Sequence, residues 1–286
     1  MKGYINTRSI MKDYCYLAIQ PNTSWLVSFK DYTSFEEPTI LVEKNKSNLR
    51  LYLGNMPSNR KDKAERIIRY TFVFETDKNE TNINQVGDLV NHWIKAINSN
   101  ENKQVLAGKL DKLLSEDEVA NFISGTVENA EQILQDKLND WLKANFNFSD
   151  QEVMPSTLEL DKDTYYTDAL ANADKHFIPT VYHLLTDKNI SDISLFYLNF
   201  IETQTEFKKS DLSKVDNGFI ILIEKGEFKK FEKKRSMQEE VALPKKNQVA
   251  MKPQNQGILQ SNTKKILIVI VAILAIIAVS LLVRLQ

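Results

Sequence analysis

Arginine and aspartate side chains that can bind an anion are concentrated in the first quarter of this chain. The segment SNRKDKAERIIR places Arg60, Asp62, Arg66 and Arg69 within ten residues, just before a run of strand-forming residues. Arg8 occupies a comparable position after the first such run. Because a guanidinium makes paired hydrogen bonds to a phosphate or a carboxylate, the pattern predicts a ligand-binding site that comprises Arg8, Arg60, Asp62 and Arg66. The alternative is a solvated loop whose ion pairs contribute little to stability.

The other residues that can do chemistry form no catalytic or metal-binding motif. His92, His176 and His183 have no cysteine pair, no HExxH and no nearby carboxylate at metal-ligand spacing. The single cysteine, Cys15, is predicted to be a small buried residue on a strand, although spacing alone leaves a Cys–His nucleophile pair open. The chain has no Walker-type phosphate loop and no kinase signature. These observations predict no metal and no cofactor, and they favour a non-enzymatic role without deciding against catalysis.

Residues 3–76 are predicted to be mostly β-strands. Short runs of β-branched and aromatic residues alternate with turn-forming residues such as Pro38 and Asn55 to Asn59. The runs are GYINTR, YCYLAI, SWLVSF, TILVEK, NLRLYL and RIIRYTFVFET. Because the intervening segments are too short for helices, the strands are expected to form a largely antiparallel sheet with the arginine and aspartate residues at strand ends.

The middle of the chain, residues 82–146, is predicted to be helical. Apolar residues recur at steps of three and four in INQVGDLVNHWIKAIN and in AEQILQDKLNDWLKANF. Ser115 and Glu118 have the spacing of a capping box, which indicates the start of another helix. This region is either a layer that covers the sheet or a small insertion of its own.

The next part of the chain is predicted to return to strands. Residues 163–188 are predicted to form a helix interrupted by Pro179. Two β-rich segments, 193–207 and 218–228, contain apolar runs typical of strands buried on both faces. They either complete the N-terminal sheet or form a second one. The fold class is therefore α+β, with an N-terminal antiparallel sheet, a helical middle layer and C-terminal strands.

An apolar run near the C-terminus predicts a transmembrane helix. The run begins at Ile266, ends at Val283 and contains one polar side chain, Ser280. A helix of this length extends about 27 Å, close to the thickness of a bilayer core. Lys264 and Lys265 precede the run, which indicates that its N-terminal side is cytoplasmic. Since three residues follow the run and no signal peptide is evident, we expect a tail-anchored, single-pass protein of the cell inner membrane with its N-terminal domain in the cytoplasm.

The charge distribution predicts a basic segment beside the membrane. Residues 228–265 contain ten Lys or Arg and three Glu, a net charge of +7, whereas residues 1–227 have a net charge of −9. An anionic leaflet attracts such a basic segment, and the residues expected at its surface are Lys229, Lys230, Lys233, Lys234, Arg235, Lys264 and Lys265. The acidic body argues against general nucleic-acid binding.

These patterns divide the chain into three parts. Residues 1–235 are predicted to form a cytosolic α+β domain, either as one unit or as a β-rich subdomain (1–80) and a mixed one (81–235). Residues 236–263 lack a core pattern and are rich in Pro, Gln, Asn and Lys, so they are expected to be a flexible tether. Residues 264–286 are the membrane anchor.

Three functional hypotheses follow from the sequence. The first is an anchored, non-enzymatic protein whose domain binds a protein partner or ligand and localises a signalling or defence activity at the membrane; in a variant of it, the span self-associates and perturbs the bilayer. The second is a membrane-tethered enzyme that acts on a phosphorylated or nucleotide substrate. The third is a scaffold whose partner binds the helical region 82–146. The bias towards Lys, Asn and Ile suggests a bacterial source.

Overall fold

The structure, a computed structural model, describes part of the chain in detail. All the described residues belong to one compact unit, Met1–Ser236. The predicted tether and span lie outside them. The described residues are 1–22, 37–44, 49–76, 83–147, 158–159, 161, 163–186, 193–198 and 218–232.

Five N-terminal strands form an antiparallel sheet, as predicted, and the further run predicted at residues 24–29 lies outside the described residues. Their bounds are β1 Lys2–Thr7, β2 Cys15–Tyr16, β3 Thr39–Lys44, β4 Leu49–Lys61 and β5 Ile67–Thr76. Their order is β2-β1-β5-β4-β3, and every neighbouring pair is antiparallel. The sheet therefore has its longest strands, β4 and β5, towards its centre.

The C-terminal strands continue this sheet rather than forming a separate one. They are β6 Thr164–Ala169, β7 Ile193–Leu198, β8 Gly218–Ile223 and β9 Lys229–Glu232. β7 pairs antiparallel with β3, β8 is parallel to both β7 and β6, and β9 closes the edge antiparallel to β6. Within the described part of the chain, the sheet thus has nine strands in the order β2-β1-β5-β4-β3-β7-β8-β6-β9.

The turn predicted after the first part of β4 is wrong, because the strand continues through it. Asn55 has a φ of 64°, and the pairing of β4 with β5 shifts between Leu53 and Met56. The Thr71 hydroxyl accepts a hydrogen bond from the Asn55 backbone N–H at 3.0 Å. A β-bulge therefore accommodates the turn-forming residues within one long strand, and the true hairpin turn lies after Lys61.

The helix predicted for residues 163–188 is partly wrong. Its first part is the strand β6, whose sequence TYYTDA is rich in aromatic and β-branched residues. The helix α5 begins only at Phe177 and ends at Thr186. Pro179 lies in its first turn, where the missing N–H has no intrahelical acceptor to lose. Pro179 therefore marks the start of this helix rather than an interruption.

Four helices form the middle of the chain. They are α1 Ile83–Asn98, α2 Asn100–Leu110, α3 Glu116–Ser124 and α4 Ala130–Asn145. The capping box at the start of α3 is confirmed, since the Ser115 hydroxyl accepts from the Glu118 N–H while the Glu118 carboxylate accepts from the Ser115 N–H. The separate helix α2 was not predicted, because its apolar residues do not follow a clear helical stripe.

The helices pack on the sheet through aromatic residues of β5. The Phe72 ring centroid lies 5.9 Å from that of Trp93 on α1 and 5.6 Å from that of Trp141 on α4. All three side chains are buried. Side chains on the other face of the sheet, such as those of Leu41 and Val73, are buried as well. The central strands are therefore covered on both faces.

Truncation of Phe72 should measure how much this packing contributes. We expect Phe72→Ala to lower the free energy of unfolding by about 3–5 kcal/mol, because it leaves a cavity between two tryptophans. Ile133→Ala, on the exposed side of α4, should cost no more than about 0.5 kcal/mol. Urea unfolding of the full-length chain in mild detergent, followed by tryptophan fluorescence, measures both. Equal effects would contradict this description of the core.

Candidate functional site

The carboxylate of Asp62 organises the turn between β4 and β5. One carboxylate oxygen, Oδ1, accepts hydrogen bonds from the backbone N–H groups of Ala64 at 2.8 Å and of Arg66 at 3.0 Å. The Asp62 N–H donates in turn to the Arg66 carbonyl at 2.9 Å. Aspartate commonly accepts such bonds from backbone groups that follow it. The side chain therefore closes the hairpin, in which Glu65 adopts a φ of 60°.

The other oxygen of Asp62 joins this hairpin to the segment after β1. Oδ2 lies 2.8 Å from Nε of Arg66 and 3.1 Å from Nη1 of Arg8. The Asp62 side chain is 2% exposed and that of Arg8 is 15% exposed, whereas Arg66 is 69% exposed. One buried carboxylate is thus shared by two guanidinium groups, only one of which faces solvent.

The hydrogen bonds around Asp62 lower the pKa of its carboxyl group below the usual value of 3.8. Burial is the largest single effect and raises the pKa, but it is outweighed by hydrogen bonds from the N–H groups of Arg66 and Ala64 and from the Arg66 guanidinium. Asp62 is therefore ionised at neutral pH and holds both arginines by charge.

Arg60 lies beside this cluster but has a different carboxylate partner. Its guanidinium forms an ion pair with Glu116 at the start of α3 and donates to the Tyr70 hydroxyl at 2.7 Å and to the Arg8 carbonyl at 3.3 Å. Glu116 also accepts a hydrogen bond from the Ile10 N–H at 2.6 Å. Burial lowers the pKa of Arg60, but Tyr70 and Glu116 raise it by more, so the net pKa is above its ordinary value.

The structure therefore brings Arg8, Arg60, Asp62 and Arg66 together, as the sequence pattern suggested. Their guanidinium groups are paired with the carboxylates of Asp62 and Glu116, so an added anion must compete with both. These contacts join β1, the hairpin and α3, and the predicted ligand-binding role stays a prediction. Nothing in the local sequence identifies Glu116 as a partner, because it lies more than fifty residues away from Arg60.

Arg69 does not join the other arginines. Its guanidinium donates to the Asn55 carbonyl at 3.1 Å, at the bulge of β4. Its backbone N–H donates to the Tyr14 hydroxyl at 2.9 Å, and its carbonyl accepts from the Thr7 hydroxyl at 3.0 Å. Arg69 therefore helps to hold the connection between β1 and β2 against β5.

A second polar pair, which the sequence analysis missed, lies at the carboxyl end of β6. Nδ1 of His176 lies 2.8 Å from Oδ2 of Asp168, and the other carboxylate oxygen accepts the Ala169 N–H at 2.8 Å. The Asp168 side chain is fully buried, and that of His176 is 25% exposed. The imidazole stacks on the ring of Phe228 with centroids 4.0 Å apart.

This pair has the arrangement in which a carboxylate orients an imidazole. Oδ2 of Asp168 can accept a hydrogen bond from an Nδ1–H of His176, and in that tautomer the second nitrogen, Nε2, is an acceptor for a ligand. Such a histidine can act as a general base if a substrate reaches it. The eight-residue separation spans a strand end and a turn, so sequence periodicity alone does not reveal the contact.

Among the described residues, no group of three or more His, Cys, Asp or Glu side chains is placed to hold a metal ion.

A third cluster connects the helices to one another. His92 on α1 contacts the Asp88 carboxylate at 3.2 Å through Nδ1 and the Lys109 ammonium at 3.1 Å through Nε2. Lys109 also donates to the Asn145 carbonyl at 2.8 Å, at the end of α4. Burial lowers the pKa of Lys109, although Asp88 partly opposes this shift. These contacts link α1, α2 and α4, so the cluster has a structural role.

Two of the remaining predictions fall on described residues. Burial and, secondarily, Asp13 raise the pKa of the Cys15 thiol, which disfavours the thiolate that a nucleophile needs. Cys15 is also only half-buried, so the prediction of a buried residue is partly wrong. The reason is that β2 is a short strand at the edge of the described sheet, where β1 is its only described neighbour. Lys229 and Lys230 lie on the exposed edge strand β9.

The membrane-related predictions fall mainly on other residues. No helix found among the described residues is long and apolar enough to cross a bilayer. The predicted span, from Ile266 to Val283, lies outside the described residues, so its membrane crossing stays a prediction. The same holds for the remaining basic residues expected at the membrane surface, namely Lys233, Lys234, Arg235, Lys264 and Lys265.

Comparison with other proteins gives no assignment. No protein-family model, curated protein sequence or solved structure matches this chain.

The charge of Asp62 should be visible in the pH dependence of stability. We expect Asp62→Asn to lower Tm by several degrees at pH 7, because Arg8 and Arg66 then face each other without a counterion. The folded-state pKa of Asp62 lies below 3.8. The difference in Tm between the wild type and Asp62→Asn should therefore be complete above about pH 5 and should disappear as pH falls through the folded-state pKa. Thermal unfolding of both proteins between neutral and acidic pH tests this, with the exposed Asp13→Asn as control. A difference that persists unchanged in acid would contradict it.

Removal of the Asp168 carboxylate should destabilise the folded protein. We expect Asp168→Ala to lower the free energy of unfolding by about 3 kcal/mol, because the buried contacts of its carboxylate are lost and their donors are left unpaired. The exposed Asp174→Ala, in the same connection between β6 and α5, is the matched control and should have little effect. Denaturant unfolding measures both variants, and equal stability of the two would show that the pair does not hold this region together.

Proposed function

We propose that this chain is a membrane-anchored protein of the inner membrane whose N-terminal domain, residues 1–235, binds a protein partner or ligand on the cytoplasmic side. In this proposal the domain localises a signalling or defence activity at the bilayer surface. The observation that carries it is the apolar run 266–283, which has the length and composition of a membrane span.

The residues before this run support its orientation. Lys264 and Lys265 flank it on the N-terminal side, and basic residues favour the cytoplasmic face. The segment 228–265 has a net charge of +7, which suits contact with the anionic lipids of that leaflet. The domain has its own hydrophobic core, which is made of residues within 1–236.

A specific observation also favours an enzymatic alternative. Asp168 and His176 lie where the parallel strand β6 ends, and the carboxyl ends of parallel strands are common positions for ligand sites. In this alternative His176 is the general base and Asp168 orients it. A substrate class is suggested only by the sequence pattern at Arg60, Asp62 and Arg66, which lie in another part of the sheet.

Replacement of two small residues in the apolar run tests the anchor. We expect the full-length chain to remain in the membrane fraction after carbonate extraction, and Ala275→Arg combined with Ala278→Arg to release it, because each charge at the centre of a span costs about 2.5–3.5 kcal/mol. Ala275→Leu combined with Ala278→Leu is the matched control and should stay bound. Wild-type protein in the soluble fraction would contradict the proposal.

Recovery of partners by the same variants separates the two roles of the chain. In affinity purification from mild detergent, a partner that the domain binds should be recovered equally with the wild-type chain and with the released Ala275→Arg, Ala278→Arg variant. Self-association that disappears in the released variant would instead place the activity in the apolar run.

A further inference from the structure

Exposed apolar side chains are concentrated in two connections that contact each other. The first is residues 8–14, between β1 and β2. The second is residues 61–67, at the end of the β4–β5 hairpin. These two segments form the loop pair. Three of the six large hydrophobic side chains that are exposed in the described residues belong to it. They are Ile10, Met11 and Ile67, with exposures of 38%, 64% and 47%.

Internal hydrogen bonds hold these side chains in their exposed positions. The buried Ser9 hydroxyl accepts the backbone N–H groups of Met11 at 3.2 Å and of Lys12 at 3.0 Å. Asp62 closes the other loop and binds Arg8 of the first. Hydrogen bonds within each loop and the ion pair between the two loops therefore fix the backbone that carries the exposed apolar side chains.

The exposed charges of the loop pair are mainly positive. Arg8 and Asp62 neutralise each other in the interior. The exposed charged side chains are four cations and two carboxylates, namely Lys12, Lys61, Lys63, Arg66, Asp13 and Glu65. Residues 1–227 as a whole have a net charge of −9, whereas the loop pair itself has an excess of cations, and Glu116 of α3 lies next to it in contact with Arg60 and the Ile10 N–H.

We infer that the loop pair is a second membrane contact, which docks on the anionic phospholipid surface to which the chain is anchored. This inference rests on the proposed anchoring. Apolar side chains flanked by lysine and arginine suit the boundary between headgroups and acyl chains, where the apolar groups enter and the cations meet lipid phosphates. Because the anchor keeps the domain close to the bilayer, a weak contact is sufficient. The acidic remainder of the domain is repelled, which orients the domain with the loop pair towards the lipid.

An environment-sensitive fluorophore at residue 11 tests this contact in the full-length chain. In a Cys15→Ser background, Met11→Cys is labelled with a nitrobenzoxadiazole dye and the protein is inserted into vesicles of phosphatidylcholine, with or without phosphatidylglycerol. We expect a blue shift of emission in the vesicles that contain phosphatidylglycerol, and no shift in the neutral ones. The same dye on Val105→Cys, an exposed position on α2, is the control and should report water in both.

Charge reversal within the loop pair should abolish the shift. We expect Lys61→Glu combined with Lys63→Glu to return the residue 11 dye to an aqueous emission on anionic vesicles. Lys95→Glu combined with Lys143→Glu changes the net charge equally at exposed positions on α1 and α4 and should retain the shift. Tryptophan emission of each variant shows whether the core is intact.

The outcomes distinguish this inference from the anchoring on which it rests. A chain that floats with anionic vesicles while residue 11 stays in water would overturn the inference and leave the anchor standing. A chain that does not float would overturn both. A shift that depends on protein concentration and not on lipid charge would overturn lipid docking in favour of contact with a second copy.

Discussion

The buried carboxylate of Asp62 determines how one end of the sheet is held together. It closes the β4–β5 hairpin and at the same time binds Arg8 and Arg66, which are separated by more than fifty residues of sequence. If the carboxylate were lost, two like charges would remain in contact, one of them largely buried, which is a costly arrangement. Arg60 extends the network to Glu116 and thus to α3. Charge therefore fastens the connections here, whereas aromatic packing around Phe72 fastens the helices to the centre of the sheet.

The contrast between local residue patterns and contacts among distant elements explains which parts of the structure could be predicted from the sequence. Strands such as β3 and helices such as α1 follow from local residue patterns, because each is long enough to show its type through composition or periodicity. The bulge at Asn55 and the strand β6 were missed, since tertiary packing overrode turn and helix signals there. The grouping of Arg8 with Asp62 was suggested by residue type and position at strand ends. The pairs Arg60–Glu116 and Asp168–His176 were not predicted, because each depends on how separate elements pack.

The two polar sites occupy different parts of the same sheet. Asp62 follows β4 in the antiparallel part, and Asp168 lies near the end of β6 in the mixed part, four positions away in the strand order. At about 4.8 Å per position this is a separation of about 19 Å between the strands. Because β4 and β6 run in the same direction, Asp62 and Asp168 lie towards the same edge of the sheet. In our proposal the loops at one of these strand ends contact lipid, and the Asp168–His176 pair at the other is a separate polar site.

The central claim is that an anchored domain lies on the bilayer through one defined end. Hydrogen–deuterium exchange of the full-length chain in anionic and in neutral bilayers tests it most directly, because the exchange of each backbone amide is compared in the same protein. We expect slower exchange in anionic bilayers at residues 10–12 and 63–67, with α2 and α4 unchanged. Equal exchange of these loops in the two bilayers, or protection confined to the helices, would contradict it.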